Sequence, residues 1–176
     1  SDLKRVEDSL REREAHLRAI VESEPECVKL VDASGTVLDM NPAGLAAVEA
    51  DSVDQVRGQY ALNLIAPEFQ DVFTRSMAEV FAGHASKVEF EIIGRKGTRR
   101  WLEQSAVPLW DTERPGTVKA MLAVARDITE RRRMEEALRR SEELFRAISE
   151  QMPDSLLLLD LDDQKVPGRI RYANAA

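Results

Sequence analysis

Apolar positions along the first 23 residues fall on one narrow stripe. Leu3, Val6, Leu10, Leu17 and Ile20 alternate spacings of three and four, with Arg13 at the seam position between Leu10 and Leu17. This pattern predicts a helix over residues 1–23 whose apolar line is too thin for a globular core. It suits a coiled-coil seam or docking on a sheet. Glu7–Arg11 and Glu14–Arg18 stand four apart on the polar side, where such pairs support a helix. Pro25 ends the segment, because the residue before a proline is pushed out of the helical region.

Beyond Pro25 the period changes. Residues 27–32 and 37–40, joined by Ala33-Ser34-Gly35-Thr36, predict strand, turn, strand. Asn41-Pro42 then starts a short helix over 42–50, since asparagine caps free amides and proline is favoured at the first helical position. A helical stretch over 52–57 stops at Gly58. A longer helix over 67–82 carries Phe69, Phe73, Met77 and Val80 on one face and ends at Gly83. Residues 87–93, 98–110 and 117–126 predict a three-strand meander, punctuated by Gly94-Arg95-Lys96-Gly97 and Glu113-Arg114-Pro115-Gly116. Helical periodicity returns from Asp127: Met134, Leu138, Phe145, Ile148 and Met152 continue the three–four alternation past Ser141. Five strands with helices on one side predict an α+β module.

The pattern also repeats. LREREAHLRAIVESEPECVKLVD from Leu10 matches LRRSEELFRAISEQMPDSLLLLD from Leu138 at an offset of 128, and GTVLDMNPA from Gly35 matches GRIRYANAA from Gly168 at 133. The five extra residues fall in a predicted turn, where insertion is best tolerated. A repeat of this length marks tandem copies of a whole small domain, not a solenoid. The predicted organisation is an N-terminal helix over 1–23, one complete module over 24–128, a linker helix over 129–152, and the opening of a second module over 153–176. Within the last piece, residues 155–159 and 169–174 are expected to be strands without the rest of their sheet, mobile or paired with a neighbouring chain.

Composition narrows the function classes. The 176 residues carry 25 basic and 32 acidic side chains, a net charge of −7. This disfavours a nucleic-acid surface, which needs a basic face. The apolar runs are far too short to span a bilayer, so no membrane contact by this segment is expected. One cysteine suits a reducing cytoplasm and excludes an internal disulfide framework. No phosphate-binding loop or nucleophile motif is present, so the segment reads as non-enzymatic.

The strings VEFEIIGRKGTRRWLEQSAVPLWD (88–111) and ARDITERRRMEEAL (125–138) resemble the PAS domain with its PAC motif. That is the sensory fold of bacterial two-component kinases and cyclic-dinucleotide enzymes. The resemblance covers the chain from about Leu10 onward. It implies a five-stranded antiparallel sheet flanked by coiled-coil helices, with a pocket between the concave face and the helices. It also implies a homodimer that signals to an effector in the same chain, a histidine kinase or a diguanylate cyclase. By similarity to flavin-binding relatives, the inward set is Lys29, Val31, Ile92, Leu102, Gln104, Met121, Ala123 and Ala125, closed from the helical side by Phe69, Phe73 and Met77. Lys29 and Gln104 are then the polar groups that orient a ligand, and a lysine favours an anion. A filled core with no ligand is the alternative.

Asp127, Ile128 and Thr129 stand where the last strand becomes the output helix. Their polar groups can cap it, with Glu130 placed as capping-box partner, while Ile128 anchors the junction. The dimer seam is assigned to Leu3, Val6, Leu10, Leu17, Ile20, Met134, Leu138, Phe145 and Ile148, with Trp101 facing outward as an interface anchor. The cofactor is left unknown. The helix over 67–82 has no histidine for haem, His84 follows it in a loop, and His16 reads as a solvated helix position. Ala61 stands near the place where cysteinyl-flavin photosensors carry their cysteine, and Cys27 reads as a packed small residue. Two histidines and one cysteine supply no metal site.

Overall fold

The computed structural model describes residues 1–151 and the backbone of 157–161 and 167–173. The chain divides into two units, Ser1–Thr129 and Glu130–Ala176.

In the first unit, α1 spans Asp2–Ser23 and buries none of its residues. Glu24 is extended at φ −64° and ψ 124°, as a residue before proline must be. Then follow β1 (Cys27–Val31), β2 (Val37–Met40), α2 (Pro42–Ala47), α3 (Gln70–Phe81), β3 (Ser86–Ile93), β4 (Arg99–Trp110) and β5 (Val118–Asp127). The strands form one five-stranded sheet in the order β2-β1-β5-β4-β3, antiparallel throughout. The first and last strands of the module, β1 and β5, are thus neighbours, which sets the chain's exit beside its entry.

Alternation along the strands sends one set of side chains to the helices. Phe90, Ile92, Leu102, Ala106, Met121, Ala123 and Ala125 are each at most 3% exposed and pack with Val31, Val37, Phe73 and Val80. Helix α2 lies close to β1 because residue 44 is glycine: a Cβ there would stand 2.5 Å from Met40 Cγ and 2.8 Å from Cys27 Sγ.

Three helical segments differ from the sequence reading. Helix α2 ends at Ala47, not residue 50, because Glu49 turns to φ 60°. Its carboxylate accepts from the amides of Lys96 and Thr98 and from the Thr98 hydroxyl, while Arg95 N–H donates to Val48 carbonyl. Those bonds fix the Gly94–Gly97 turn onto the end of α2 and offset the left-handed backbone. The stretch at 52–57 is a 3-10 turn over Val53–Gln55, and a second, unforeseen, spans Ala61–Leu64. The helix from residue 67 opens as 3-10 over Pro67–Phe69 before α3.

In the second unit, α4 spans Thr129–Gln151, and β6 (Leu157–Leu161) pairs antiparallel with β7 (Pro167–Ala173). The two strands expected to lack partners within the chain therefore pair with each other. Ser155, Leu156, Asn174 and Met152, the last residue of the predicted stripe, lie outside the described residues.

Candidate functional site

The concave face of the sheet and α3 enclose the candidate site. On β1, Cys27, Lys29 and Val31 point inward; on the middle strand β5 the inward residues are Met121, Ala123 and Ala125. Lys29 pairs with Ala123, which pairs with Ala106; Gln104 pairs with Ala125, which pairs with Cys27. Three alanine methyls thus floor the space between a lysine on one side and a glutamine on the other. Phe73 from α3 and Phe90 from β3 stand over it, their rings edge-on with centroids 5.4 Å apart.

Lys29 is 6% exposed, and its Nζ lies 5.2 Å from the Phe73 ring centre and 5.6 Å from that of Phe90. Burial holds its amine below the usual lysine range, with a small opposing effect from Cys27. Burial likewise pushes the Cys27 thiol up. Gln104 is fully buried, and both its amide atoms lack a hydrogen-bond partner, as does Ser76 Oγ on α3. Natural cores rarely leave such groups unpaired.

The inward set read from the sequence is therefore one contiguous surface, with two differences of placement. Met77 is half-buried at its margin. Phe69 is half-buried against the same core, its ring edge-on to Trp101 at 4.9 Å and 74°. The cause is the chain before α3: Ile65 bridges Ile92 and Ala66 N–H donates to Glu91 carbonyl, so this segment lies along β3. Arg99 secures it by bonding Glu68 and Glu91. Trp101, expected to face outward as an interface anchor, is half-buried and packs on Phe69.

Sequence reasoning missed Ser76, although it stands three residues after Phe73 and four before Val80 on the inward face of α3. It also missed Met40, Val48, Leu64 and Ile65, which with Cys27, Lys29, Ala61 and others line a cavity of only about 10 Å³. That is room for about one water. Leu64 and Ile65 also form the wall of an open surface groove of about 580 Å³, edged by Gln55, Gln59, Tyr60, Asn63, Gln70 and Arg95. The groove and the closed core are neighbours across one short segment.

At the exit from β5, Asp127 Oδ1 accepts from Thr129 N–H at 2.9 Å and caps α4. Thr129 turns its hydroxyl the other way, accepting from Trp101 N–H at 2.9 Å, and Ile128 N–H donates to Trp101 carbonyl. Ile128 itself is 3% exposed. Desolvation favours a neutral Asp127, but bonds from Thr129 and Arg100 outweigh it and hold the carboxyl below its ordinary value. Only one residue separates the end of β5 from the start of α4, and it is pinned to β4.

The seam residues are open. Leu3, Val6, Leu10, Leu17, Ile20, Met134, Leu138 and Ile148 are exposed by 48% or more, while Phe145 is half-buried. Among the described residues no helix is long and apolar enough to cross a membrane, and no three His, Cys, Asp or Glu side chains are grouped to hold a metal ion.

Comparison with known proteins agrees with this geometry. The chain is similar to the PAS domain of an HTR-like protein from Haloarcula marismortui, at 22% identity and a TM-score of 0.61, over 71% of this chain and 99% of that one. It is also similar to a domain of a sensory box sensor histidine kinase/response regulator from Geobacter sulfurreducens, at 26% identity and a TM-score of 0.55, over 67% of this chain and 96% of that one. An uncharacterized protein, y4lL, of Sinorhizobium fredii is 29% identical over 157 residues; the match takes in 87% of this chain and 18% of that relative's length. A family model described as PAS fold matches residues 21–133, and one described as PAS domain matches residues 143–176. With a five-stranded sheet in PAS order and most of its length inside those matches, the chain belongs to the PAS domain family.

Proposed function

We propose that the chain is the sensory and relay segment of a larger signalling protein. A small ligand held between the sheet and α3 alters the packing of the helix that leaves β5. The helix passes that change to an effector in the same chain, a histidine kinase by resemblance to the Geobacter sulfurreducens protein. In this reading residues 1–23 are an input helix, 24–128 the sensing module, 129–152 the transmitter and 153–176 the opening of a second module. The working unit is a homodimer joined through the two exposed helical stripes, in the cytoplasm.

One observation carries the reading: β5 supplies the floor of the site through Met121, Ala123 and Ala125, and one pinned residue later becomes α4. A ligand that shifts this floor acts on the helix start without slack between them. Native mass spectrometry of the freshly purified protein tests it, and a retained small molecule is the expected result. The cavity of about 10 Å³ favours a second reading, a ligand-free dimerisation relay for a cyclic-dinucleotide enzyme. A bare dimer in that measurement, unresponsive to added compounds, favours the relay.

A further inference from the structure

Most buried polar side chains of the first unit are satisfied. Asn41 bonds several backbone groups, and Ser86 Oγ donates to Glu79. Lys29, Ser76 and Gln104 differ: two are orphaned, and the lysine meets aromatic faces instead of a counter-charge. They belong to one place. Lys29 Nζ stands over Phe73 and Phe90; Ser76 is one turn along α3 from Phe73; Gln104 is two residues from Leu102, the partner of Phe90 on β3.

The chemistry of the three is lopsided. Between them they offer an ammonium, a hydroxyl and an amide NH2 as donors, with the Ser76 hydroxyl and the Gln104 carbonyl oxygen as acceptors, and their one ionisable group is a base. The described residues bury no carboxylate that would balance the lysine. The titratable group acting on Lys29 is the Cys27 thiol, itself held in its neutral form by burial. A cationic ligand would worsen this arrangement, and a neutral polar one would pair Ser76 and Gln104 but leave the lysine without a counter-charge. The floor of Ala106, Ala123 and Ala125 and the two phenyl rings offer only apolar contact.

Resting on the sensor reading, we propose that the core site takes a small organic acid. Its carboxylate is held by Lys29 Nζ, Ser76 Oγ and Gln104 Nε2, and its short apolar tail lies over the three alanines. Lys29 borders a cavity of only about 10 Å³, and Ser76, Gln104 and the three alanines are buried outside its walls, so such a molecule enters only by displacing side chains. Binding therefore has to push on α3 or on β5, which is the coupling a sensor needs. Leu64 and Ile65 line both the open groove and the small cavity beside Lys29.

The test is a thermal-shift and calorimetric series with sodium butyrate, hexanoate and benzoate, their uncharged amides, and the matching amines. It is run on the whole chain and on Lys29→Met. Acids are expected to raise the unfolding temperature in proportion to the logarithm of their concentration, and amides and amines to leave it unchanged. Removing an uncompensated buried charge makes Lys29→Met more heat-stable than the parent without ligand, yet its affinity for the acids falls at least tenfold. Gln104→Leu is the second variant and loses affinity in the same direction. Equal responses to acids and amides, or an unaltered response in Lys29→Met, overturn the assignment of an acid while leaving the sensor reading intact. A co-purified neutral or cationic compound does the same. No response to any probe, with no retained molecule, overturns both.

Discussion

Asn41 divides one carboxamide among five backbone groups. Its Oδ1 accepts from Gly44 N–H at 2.9 Å, the cap of α2, and from Val28 N–H at 2.8 Å. Its Nδ2 faces the carbonyls of Val21, Glu24 and Glu26 at 3.1, 3.3 and 2.9 Å, so α1, β1 and α2 meet at this side chain. Asn41→Ala is expected to lower stability by about 2–4 kcal/mol: about 1 for the cap, and the rest for buried groups left unpaired. Asn41→Ser restores a cap alone and should recover about 1 kcal/mol of that loss in urea unfolding. Full recovery by serine would mean that the bonds to α1 contribute nothing. The cap was legible in Asn-Pro, because a cap needs only its own next few residues. The bonds to Val21, Glu24 and Glu26 were not, since they join positions 15–20 residues apart in sequence. Glu49 was illegible for the same reason, its left-handed turn being held by a hairpin almost 50 residues away. Lys29 and Gln104 were placed inward by similarity to flavin-binding relatives, since parity alone does not say which face of a sheet is covered, and Ser76 was overlooked because one polar residue interrupts an apolar stripe.

At the scale of elements, the strands were read within a residue or two, because period two and glycine-bearing turns mark them locally. The short helical turns between β2 and α3 were misjudged in form: three residues of 3-10 carry no period, and they are fixed by bonds to Val37 of β2 and to the edge of β3. The junction of β5 with α4 is the element contact most open to measurement. Because the folded Asp127 carboxyl lies below its ordinary value of 3.8, its contribution is complete above that value. The contribution is lost as pH falls through the lower, folded one. Trp101, bonded to both Ile128 and Thr129, reports on it. In a Trp110→Phe background, Trp101 emission should therefore titrate below pH 3.8. Asp127→Asn should abolish that transition, and Asp127→Ala should lower stability by about 1 kcal/mol, a lost helix cap. A Trp101 titration unchanged in Asp127→Asn would mean that another group governs the junction.

For the whole molecule, the question is what covers the apolar surface that a single copy leaves open. The outer face of the sheet shows Val107 at 43% and Leu109 at 37% exposure beside half-buried Leu30, Leu122 and Val124. Along α1, Leu10 and Leu17 are 60% and 63% exposed, and none of the helix's residues is buried. The stripe was plain in the sequence, but a period alone does not say whether the sheet or a second helix receives it. Helices in proteins are stabilised mainly by packing an apolar face, so in the proposed homodimer the stripe of α1 is the expected seam. Each leucine enclosed in a seam contributes about 1.5–3 kcal/mol, so two in each of two copies amount to a large part of a micromolar association. The paired change Leu10→Glu with Leu17→Glu is therefore expected to convert a dimer to a monomer in sedimentation at micromolar concentration. It should leave the unfolding free energy of the sheet within about 0.5 kcal/mol, since neither side chain is buried in one copy. A dimer that survives both charges would place the interface on the outer face of β4 and β5. Val107→Glu is then expected to break it, and the transmitter would be held together by the sheets instead of by α1.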